Sequence, residues 1–402
     1  MSYQVGNCDI GVVTMQSAIC ERAIEDALKH GQAILKYISA NDVGITGGHQ
    51  CGFYLPKAIW QAFTPFPPNK GENNEHKVTV LWPDGRSTDS TVKWYGKGTR
   101  SEYRLTRFGR DFPWNTADNL GDLLVLIPKS INEFTAYVLD LDEDIEEIQA
   151  VLGIEVIESW SYYKKGLSQK ESENSCINKR FRAFTELVDT FPGVKVFSKH
   201  TIDVLLACVP DFTKLVEDDQ LLRLISEEYT LYRMVERKVF QPEVGRLFAS
   251  IDDFLQTALS ILQARKARAG RSLENHIEYL LVNAGVPYQM RPVVDDTRPD
   301  VIIPSKEAYL DQSFPNRKLF MIGVKRTCKD RWRQVTKEAP RIKHKHILTL
   351  QEGISRTQLD EMSKSKVTLI VPNRLHKEYP GDRRDTLLNI HDFITTLKKI
   401  YT

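Results

Sequence analysis

The 402-residue sequence contains no run of about 18 apolar residues, the length that a membrane-spanning helix needs. Its first residues, MSYQVGNCDIGVV, lack the basic segment and apolar core of a secretory signal. Six cysteines are present without a CxxC pair, so their spacing indicates neither a structural zinc site nor a disulfide framework. These absences predict a cytoplasmic protein without a membrane partner, with its thiols reduced.

The composition is that of a folded protein, with 41% hydrophobic and 27% charged residues. A chain of 402 residues exceeds the usual size of a single hydrophobic core, so we expect two domains. The sequence shows no internal repeat.

Charge is unevenly distributed, although the net charge is only +2. The segment Lys93–Arg110 has six Lys or Arg residues and one acidic residue. The segment Ile322–His346 has nine Lys or Arg residues and two acidic residues. Asp140–Glu158 instead has eight acids and no cation. Two separate basic segments suit a protein with two polyanion contacts, while a solvated surface is the ordinary alternative.

A polar stretch at Tyr162–Arg180, YYKKGLSQKESENSCINKR, separates two differently patterned halves. We place a linker at residues 166–180, between an N-terminal domain of residues 1–165 and a C-terminal domain of residues 181–402. In the first half, short apolar runs such as HKVTVLW, STVKWYG and DLLVLIP alternate with turn residues. This pattern predicts a mostly β barrel or sandwich with one helix near Ala18–Ser39.

The second half begins with helical patterns, the last of which we expect to start at a Ser272 cap and to stop at Gly285. Four apolar strands follow, DVIIP, KLFMIGVKR, HILTL and KVTLIVP, with a helix between the second and the third. A final helix is predicted near Asp385–Lys399. Helices flanking a sheet make this half an α/β domain.

The strands of the second half carry residues that suit metal-dependent cleavage of a phosphodiester. That chemistry needs carboxylates for a divalent cation and a positive group near the attacking water and the phosphate. Asp300 starts the strand DVIIP and Lys325 lies near the end of KLFMIGVKR, so adjacent strands would bring them to one sheet edge. Glu274 and Glu278, four residues apart on one helix face, can point to the same place.

This is the pattern of PD-(D/E)XK nucleases with one acid missing. Gly323 stands where the acid two residues before the lysine is expected. Glu338, on a helix that Pro340 soon ends, can replace that acid from a different element. The alternative is that Asp300 only ends a turn and that Glu274 is only a helix residue without a catalytic role.

A nucleophilic tyrosine is a rival mechanism, in which Tyr309 would attack phosphorus and form a covalent intermediate. Such a site needs clustered Arg and His partners. A metal-activated water explains Asp300, Lys325 and Glu338 together, whereas the tyrosine explains none of them. We therefore expect Tyr309 to be structural.

Longer segments resemble EcoRII-type restriction endonucleases over nearly the whole chain. They are RAGRSLENHIEYLL, RPDVIIP, VKRTCKDRWRQV and HILTLQEGIS in the second half, and SANDVGITGGHQCGFYLP and RLTRFGR in the first. The resemblance implies a type II enzyme with an N-terminal DNA-binding pseudobarrel and a C-terminal α/β restriction-endonuclease-like domain. It also implies a homodimer that cleaves duplex DNA with Mg²⁺ and is paired with a DNA methyltransferase.

The resemblance also implies the members of the catalytic site. The acid after the proline, the strand lysine, a second lysine and the displaced acid match Asp300, Lys325, Lys329 and Glu338. Of these, Asp300 and Glu338 would bind the metal. For the helix acid, Glu274 is preferred to Glu278.

The residues after the catalytic lysine suit base recognition. Arg donates two hydrogen bonds to guanine and Asp accepts one from cytosine, so Asp330 and Arg331 can read G·C pairs, with Arg333 beside them. The alternative is that Asp330 only caps a helix. Related enzymes use an R-(D/E)-R pattern to read CC/GG, and Lys329 departs from its first position. The expected target contains CC/GG and is similar to CC(A/T)GG.

The family also extrudes the central bases of its target, which requires an enclosing aromatic side chain. Tyr229 is the candidate, and a position in the core is the alternative. The family's basic residues before this tyrosine are replaced by Ile225–Glu228 here, which leaves the central base pair open.

In the first half, the loop SANDVGITGGHQCGFYLP is rich in turn residues and presents His49 and Gln50 for contacts. It lacks the lysine of a nucleotide-phosphate loop. The segment KGTRSEYRLTRFGRD would contact DNA through Arg100, Arg104, Arg107 and Arg110. By resemblance these are two arms of a pseudobarrel that holds a second copy of the target and relieves autoinhibition of the nuclease.

Two functions of different classes follow, a type IIE restriction endonuclease and a DNA-binding regulator with a degenerate nuclease domain. Both predict specific DNA binding, and metal-dependent cleavage separates them. The retained Asp300, Lys325 and Glu338 favour the enzyme. An adaptor protein would leave both basic segments unexplained.

Overall fold

The computed structural model describes residues 13–45, 52–156, 159–166 and 176–401. The chain forms two compact units, Met1–Leu167 and Ser168–Thr402, with separate hydrophobic cores. Cys176–Leu187 is helical, so residues 176–180 of the expected linker belong to a helix. The limits of the two domains and the linker stay a prediction.

The first unit is an eight-stranded sheet with two helices in its described residues. The helices are α1 (Val13–His30) and α2 (Asp142–Leu152). The strands are β1 (Gln32–Tyr37), β2 (Phe53–Leu55), β3 (Asn73–Leu81), β4 (Ser87–Tyr95), β5 (Glu102–Thr106), β6 (Leu123–Pro128), β7 (Glu133–Leu139) and β8 (Trp160–Lys164). Their order is β2-β5-β4-β3-β7-β6-β1-β8, and β3 pairs with β7 in parallel while the other neighbours are antiparallel.

Strand β6 is a continuous apolar run and β1 carries the apolar segment Ala33–Leu35, because both faces of these strands are covered. Ile34 and Leu124 face an aromatic-rich core formed with β2 to β5. Leu35 and Val125 face the other side and pack with residues of α1 and α2. The mostly β architecture of this half is therefore confirmed.

The N-terminal helix is shorter than the sequence pattern predicts. It ends at His30, and Gly31, with φ of +67°, turns the chain into β1. The predicted end at Ser39 was wrong, because the apolar residues that follow the polar Lys29–Gln32 segment belong to β1 and not to α1.

The second unit packs helices against a five-stranded mixed sheet. The helices are α3 (Cys176–Leu187), α4 (Val194–Cys208), α5 (Glu217–Gly245), α6 (Ile251–Asn283), α7 (Lys306–Leu310), α8 (Trp332–Val335), α9 (Arg356–Lys364) and α10 (Ile390–Tyr401). The strands are β9 (Gln289–Met290), β10 (Val301–Ile303), β11 (Phe320–Lys325), β12 (Lys345–Thr349) and β13 (Val367–Ile370). The order is β13-β12-β11-β10-β9, with β9, β10 and β11 antiparallel and β11, β12 and β13 parallel.

The four predicted strands and the α/β class of this half are observed, but two helix starts differ. Ser272 is buried inside α6 and is not a cap, because α6 begins after Ser250, whose side chain accepts from the Asp253 N–H. The end near Gly285 agrees with its φ of +67°. The last helix begins at Ile390, five residues later than expected.

Cys176 in α3 and Cys208 in α4 form a disulfide, with 5.6 Å between their Cα atoms. The expectation of reduced thiols is wrong for this pair. Their spacing of 32 residues carries no recognisable motif, because the contact depends on the packing of two helices. Cys20 and Cys328 are buried and take no part in a disulfide within the described residues. None of the helices in the described ranges combines the length and apolar character required to cross a membrane.

Candidate active site and DNA-contacting residues

Asp300 and Lys325 meet at one edge of the second sheet. Val301 of β10 pairs with Ile322 of β11, so the residue before β10 lies beside the end of β11. The Asp300 Oδ2 accepts from the Lys325 Nζ at 2.9 Å and from the Val324 N–H at 2.7 Å. The two side chains are only 12% and 22% exposed, which strengthens their attraction. The sheet thus brings together the acid and the lysine as the strand pattern indicates.

Glu338 lies in the same electrostatic environment. Burial raises its pKa to about 7, Lys325 lowers the pKa, Asp300 raises it, and Lys345 lowers it. Its Oε2 atom is buried and has no hydrogen-bond partner among the described residues. A buried carboxylate oxygen without a partner is costly, so this position fits a cation or a proton.

Lys345 is a member of this cluster that sequence reasoning counted only within the basic segment. Its ammonium donates to the carbonyl oxygens of Glu338 and Ala339, the latter at 2.7 Å. Burial lowers the pKa of Lys345 to about 8, and Glu338 acts in the opposite direction. The sequence signal for this role was the position of Lys345 directly before the apolar strand HILTL. A lysine buried with such a strand needs an interaction partner for its charge.

The absence of an acid at position 323 has a steric reason. A Cβ atom at Gly323 would lie 2.8 Å from the Val335 Cγ2. Val335 ends α8, and its carbonyl accepts from the Glu338 N–H at 3.2 Å. Glu338 therefore lies in the turn after this short helix. The sequence pattern placed Glu338 on the helix itself, and that prediction was wrong. The end of α8 thus fills the space at position 323, and the turn after it carries the candidate replacement acid.

Gly323→Ala should destabilise the protein by about 1–3 kcal/mol, the usual cost of overpacking a core. Val335→Ala in the same chain should recover part of that loss, because it removes the clashing methyl groups. Urea denaturation of both single variants and the double variant checks this as a double-mutant cycle. Additive effects in the cycle would contradict the steric explanation.

Glu274, rather than Glu278, borders the cluster. The Glu274 carboxylate in α6 accepts from Arg291 at 2.9 Å, and burial raises its pKa, with smaller effects of Arg291, Asp300 and Lys325. Glu278 instead accepts from the Tyr288 hydroxyl at 3.2 Å. This arrangement supports the preference for Glu274.

Carboxylate oxygens are the ligands that Mg²⁺ prefers. Among the described residues, no three His, Cys, Asp or Glu side chains are arranged to hold a metal ion. Asp300 and Glu338 nevertheless supply two interacting carboxylates, and the Glu338 Oε2 lacks a hydrogen-bond partner within that part of the chain. The residues present thus fit a divalent cation at this point, with Asp300 also held by Lys325.

The candidate base-reading residues lie around the start of α8. Lys329 is buried and its carbonyl accepts from Gln358 at 3.1 Å, while Asp330 is exposed and Arg331 is half-buried. Arg331, not Asp330, occupies the N-cap position of α8. The exposed Arg333 pairs with Glu361 at 2.7 Å, so any DNA contact by Arg333 must compete with this ion pair.

Two tyrosines differ in their surroundings. Tyr229 is half-buried on α5, with the guanidinium carbon of the buried Arg268 5.2 Å from its ring centre. The Tyr309 hydroxyl donates to Asp295 and accepts from the Arg341 N–H at 3.2 Å. Burial raises the pKa of Tyr309 to about 12, which supports a structural role.

In the first unit, His49 and Gln50 lie outside the described residues. Arg104 differs from the expectation of a DNA contact, because it is 1% exposed, pairs with Glu102 at 3.1 Å and donates to the Gly52 carbonyl at 2.9 Å. It therefore holds the edge between β5 and β2. The remaining candidates are exposed, namely Arg100, Arg107 and Arg110.

Comparison with known proteins adds two family matches. The model described as EcoRII C terminal matches residues 232–394, and the model described as restriction endonuclease EcoRII, N-terminal, matches residues 27–166. The chain is 30% identical to the type II restriction enzyme EcoRII of Escherichia coli over 406 positions, covering 94% of this chain and 96% of that protein. It is 23% identical to the type II restriction enzyme SsoII of Shigella sonnei over 154 positions, covering 36% of this chain and 49% of that protein.

Two solved structures are also similar in part. Metal-depleted Ecl18kI in complex with uncleaved, modified DNA aligns with a TM-score of 0.44 and 17% identity, over 56% of this chain and 84% of that one. The restriction endonuclease PspGI–substrate DNA complex aligns with a TM-score of 0.43 and 19% identity, over 52% of this chain and 93% of that one.

The two family matches and the full-length relative define the class as a two-domain type II restriction endonuclease, a DNA-cleaving enzyme. The chain belongs to the EcoRII family.

Proposed function

We propose that the protein is a Mg²⁺-dependent homodimer that cleaves duplex DNA at a short site containing CC/GG, similar to CC(A/T)GG. The observation that carries the cleavage chemistry is the 2.9 Å contact of Asp300 with Lys325, beside the half-buried Glu338. A second copy of the target would bind the N-terminal domain and relieve autoinhibition. A paired DNA methyltransferase would protect the host's own sites.

Each member of the cluster has a separate task in this proposal. Asp300 and Glu338 would hold the metal, and a bound Mg²⁺ would stabilise charge on the phosphate and lower the pKa of the attacking water. The Val324 N–H fixes the Asp300 carboxylate, which in turn holds the Lys325 ammonium. Lys325 would donate to the scissile phosphate as negative charge develops there.

Glu274 and Lys329 would support the reacting groups from two sides. Arg291 holds the Glu274 carboxylate, and the resulting ion pair borders Asp300. Lys329 is buried four residues after Lys325, with its backbone fixed by Gln358. A second lysine there would offset the negative charge of the phosphate backbone.

Digestion of a mixed-sequence plasmid with the full chain and MgCl₂, followed by sequencing of the ends, tests the proposed function. We expect all ends to map to one short sequence that contains CC/GG. The opposite outcome is a folded protein that shifts specific DNA in a gel but does not cut it with Mg²⁺ or Mn²⁺. That outcome would contradict the enzyme and support the DNA-binding regulator.

Recognition of G·C pairs is assigned to Asp330 and Arg331. Arg331→Ala should cost about 1–3 kcal/mol of discrimination at one G·C pair, the value of a bidentate guanine contact. Cleavage rates on the target and on singly substituted sites measure this loss. Lys337→Ala, an exposed cation of the same segment, is the control and should leave discrimination unchanged. An equal loss of affinity for all sequences would make Arg331 a phosphate contact.

Tyr229 would enclose an extruded base in the same proposal. The buried Arg268 supports this tyrosine ring from one side, 5.2 Å from its centre. Arg268 in turn lies 3.9 Å from the buried Glu228. Directly before Tyr229, Ile225–Glu228 stand in place of the basic residues that the family resemblance implies, so the central base pair of the target is left open.

A further inference from the structure

Lys345 is a buried cation to which the proposed mechanism gives no task. It is the first residue of β12, and only 3% of its surface is exposed. Its ammonium donates to two consecutive backbone carbonyls, those of Glu338 and Ala339, the second at 2.7 Å. A buried charge is costly and is rarely found without a specific interaction. The interaction of Lys345 is with the main chain of residues 336–341, which we call the Glu338 turn.

The position of this ammonium is fixed by a central strand of the second sheet. Strand β12 lies between β11 and β13, and the Lys345 N–H donates to the Lys366 carbonyl at 2.9 Å. Side chains two residues apart on a strand share one face, so Lys345 points to the same face as Ile347. Ile347 packs in one core with Val335 and Ala339. Lys345 thus reaches the turn from a rigid part of the fold.

The Glu338 turn contains a strained residue directly after the acid. Ala339 has a φ of +42°, in the left-handed region that is unfavourable for a residue with a Cβ atom. Ala339 is fully buried, and its N–H donates to the Thr297 hydroxyl at 3.1 Å. A strained conformation persists only where surrounding contacts hold it. Here Thr297 holds the turn from one side and Lys345 holds it from the other.

Thr297 also connects the turn to the other candidate metal ligand. It precedes Asp300 by three residues, and its backbone exchanges two hydrogen bonds with Val294, at 2.8 and 3.0 Å. The contacts on either side of Ala339 therefore join the Glu338 turn to β12 and to the segment that leads into Asp300. Groups around a metal site fix the orientation of its ligands, so these contacts set how the two carboxylates face each other.

We propose that Lys345 is a positioning residue for the carboxylate of Glu338. It holds the turn in the left-handed conformation that keeps Glu338 in the electrostatic environment of Asp300 and Lys325. The inference rests on the proposed Mg²⁺-dependent cleavage and adds a residue to its site. Lys345 does not contact the DNA phosphate in this proposal, because its ammonium is buried and donates to the main chain.

Mn²⁺ titration of the full chain tests this assignment without cleavage, through the loss of the EPR signal of free Mn²⁺. Lys345→Met keeps the length of the side chain and removes its donors. We expect the dissociation constant for Mn²⁺ to rise about tenfold, the lower end of the range for residues that orient metal ligands. Lys364→Met makes the same change at an exposed lysine of α9 and should bind Mn²⁺ as the wild type does.

Ala339→Gly provides a rescue that depends on the strain. Glycine adopts a φ of +42° without the cost of a Cβ atom, so the turn should keep its shape with less help from Lys345. K345M/A339G should therefore bind Mn²⁺ several-fold more tightly than K345M. Thr297→Val removes the acceptor on the opposite side of the turn, and it should weaken Mn²⁺ binding as Lys345→Met does.

Single-turnover cleavage at a series of Mg²⁺ concentrations provides a second measurement. Loss of positioning should raise the half-saturating Mg²⁺ concentration of K345M about tenfold and should lower the rate at saturating Mg²⁺ by a smaller factor. Thermal unfolding shows whether each variant is folded. A merely structural role would lower the unfolding temperature and leave the Mn²⁺ affinity of the folded protein unchanged.

Two results overturn the role of Lys345. One is a folded K345M that binds Mn²⁺ as the wild type does. The other is a weakened K345M that Ala339→Gly does not improve, together with a Thr297→Val variant of normal affinity. If Lys345→Met does not fold, Thr297→Val alone decides. A wild-type chain that neither binds Mn²⁺ nor cuts DNA would instead overturn the proposed metal-dependent function.

Discussion

Asp300→Ala should lower the rate of DNA cleavage by about a hundred- to a thousandfold or more, the scale on which loss of one preorganised electrostatic group acts. The same result is expected of Lys325→Ala and Glu338→Ala. Specific DNA binding should persist, because these groups act on the reacting phosphate and not on the bases. Loss of Asp300 also leaves the Lys325 ammonium without the acceptor that holds it at 2.9 Å.

Single-turnover cleavage and gel-shift affinity, measured on the same duplex, separate chemistry from binding. Glu274→Ala and Glu278→Ala provide a matched pair, since both acids lie on one helix but only Glu274 borders Asp300. The first should slow cleavage and the second should leave it close to wild type. Cleavage by Asp300→Ala at the wild-type rate would remove this cluster from the mechanism.

The meeting of Asp300 and Lys325 could be predicted from sequence because it depends on local strand patterns. Two consecutive apolar strands that pair antiparallel place the start of one beside the end of the next. The role of Glu338 could also be predicted from sequence. Gly323 leaves the usual acid position without a carboxylate, so a replacement acid had to come from another element. What the sequence could not provide was the steric cause, because the contact with Val335 joins a strand to a helix twelve residues later.

Other features depend on packing that leaves no local signal. The buried Ser272 lies in mid-helix because α6 continues to pack against the second unit's core, although Ser before a helical run normally indicates a cap. Arg104 alternates with inward-facing neighbours on β5 and is buried, with the half-buried Glu102 as its ion-pair partner, although a cluster of arginines suggests a DNA surface. In both cases tertiary contacts override a sound local preference.

An inhibitory N-terminal module is the remaining prediction with a large effect. Full-length protein should cut a DNA with one target site slowly, and a short duplex carrying the target should stimulate it. An effector shifts a closed–open equilibrium only by its different affinity for the two states. The exposed Arg100, Arg107 and Arg110 of the first unit provide cations for such a second duplex.

Separation of the two units should make the second duplex unnecessary. A fragment starting near Lys179, which the sequence alone suggests, would remove the first turn of α3 and the Cys176 partner of Cys208. A fragment starting at Ser168 keeps both. A sharper design inserts a protease site within residues 168–175 of the full chain, so that one preparation is assayed before and after cutting.

After cutting, cleavage of single-site DNA should rise to the rate of the fully stimulated enzyme and should no longer respond to added duplex. Salt and enzyme concentration must be fixed, because phosphate contacts make every affinity salt-dependent. Exchanging Arg100 and Arg107 for Glu in the uncut chain should abolish stimulation by the duplex, while the catalytic cluster is untouched. If the cut protein stays folded but is no more active on one site, and the duplex gives no stimulation, the first unit instead provides an additional grip on the same DNA.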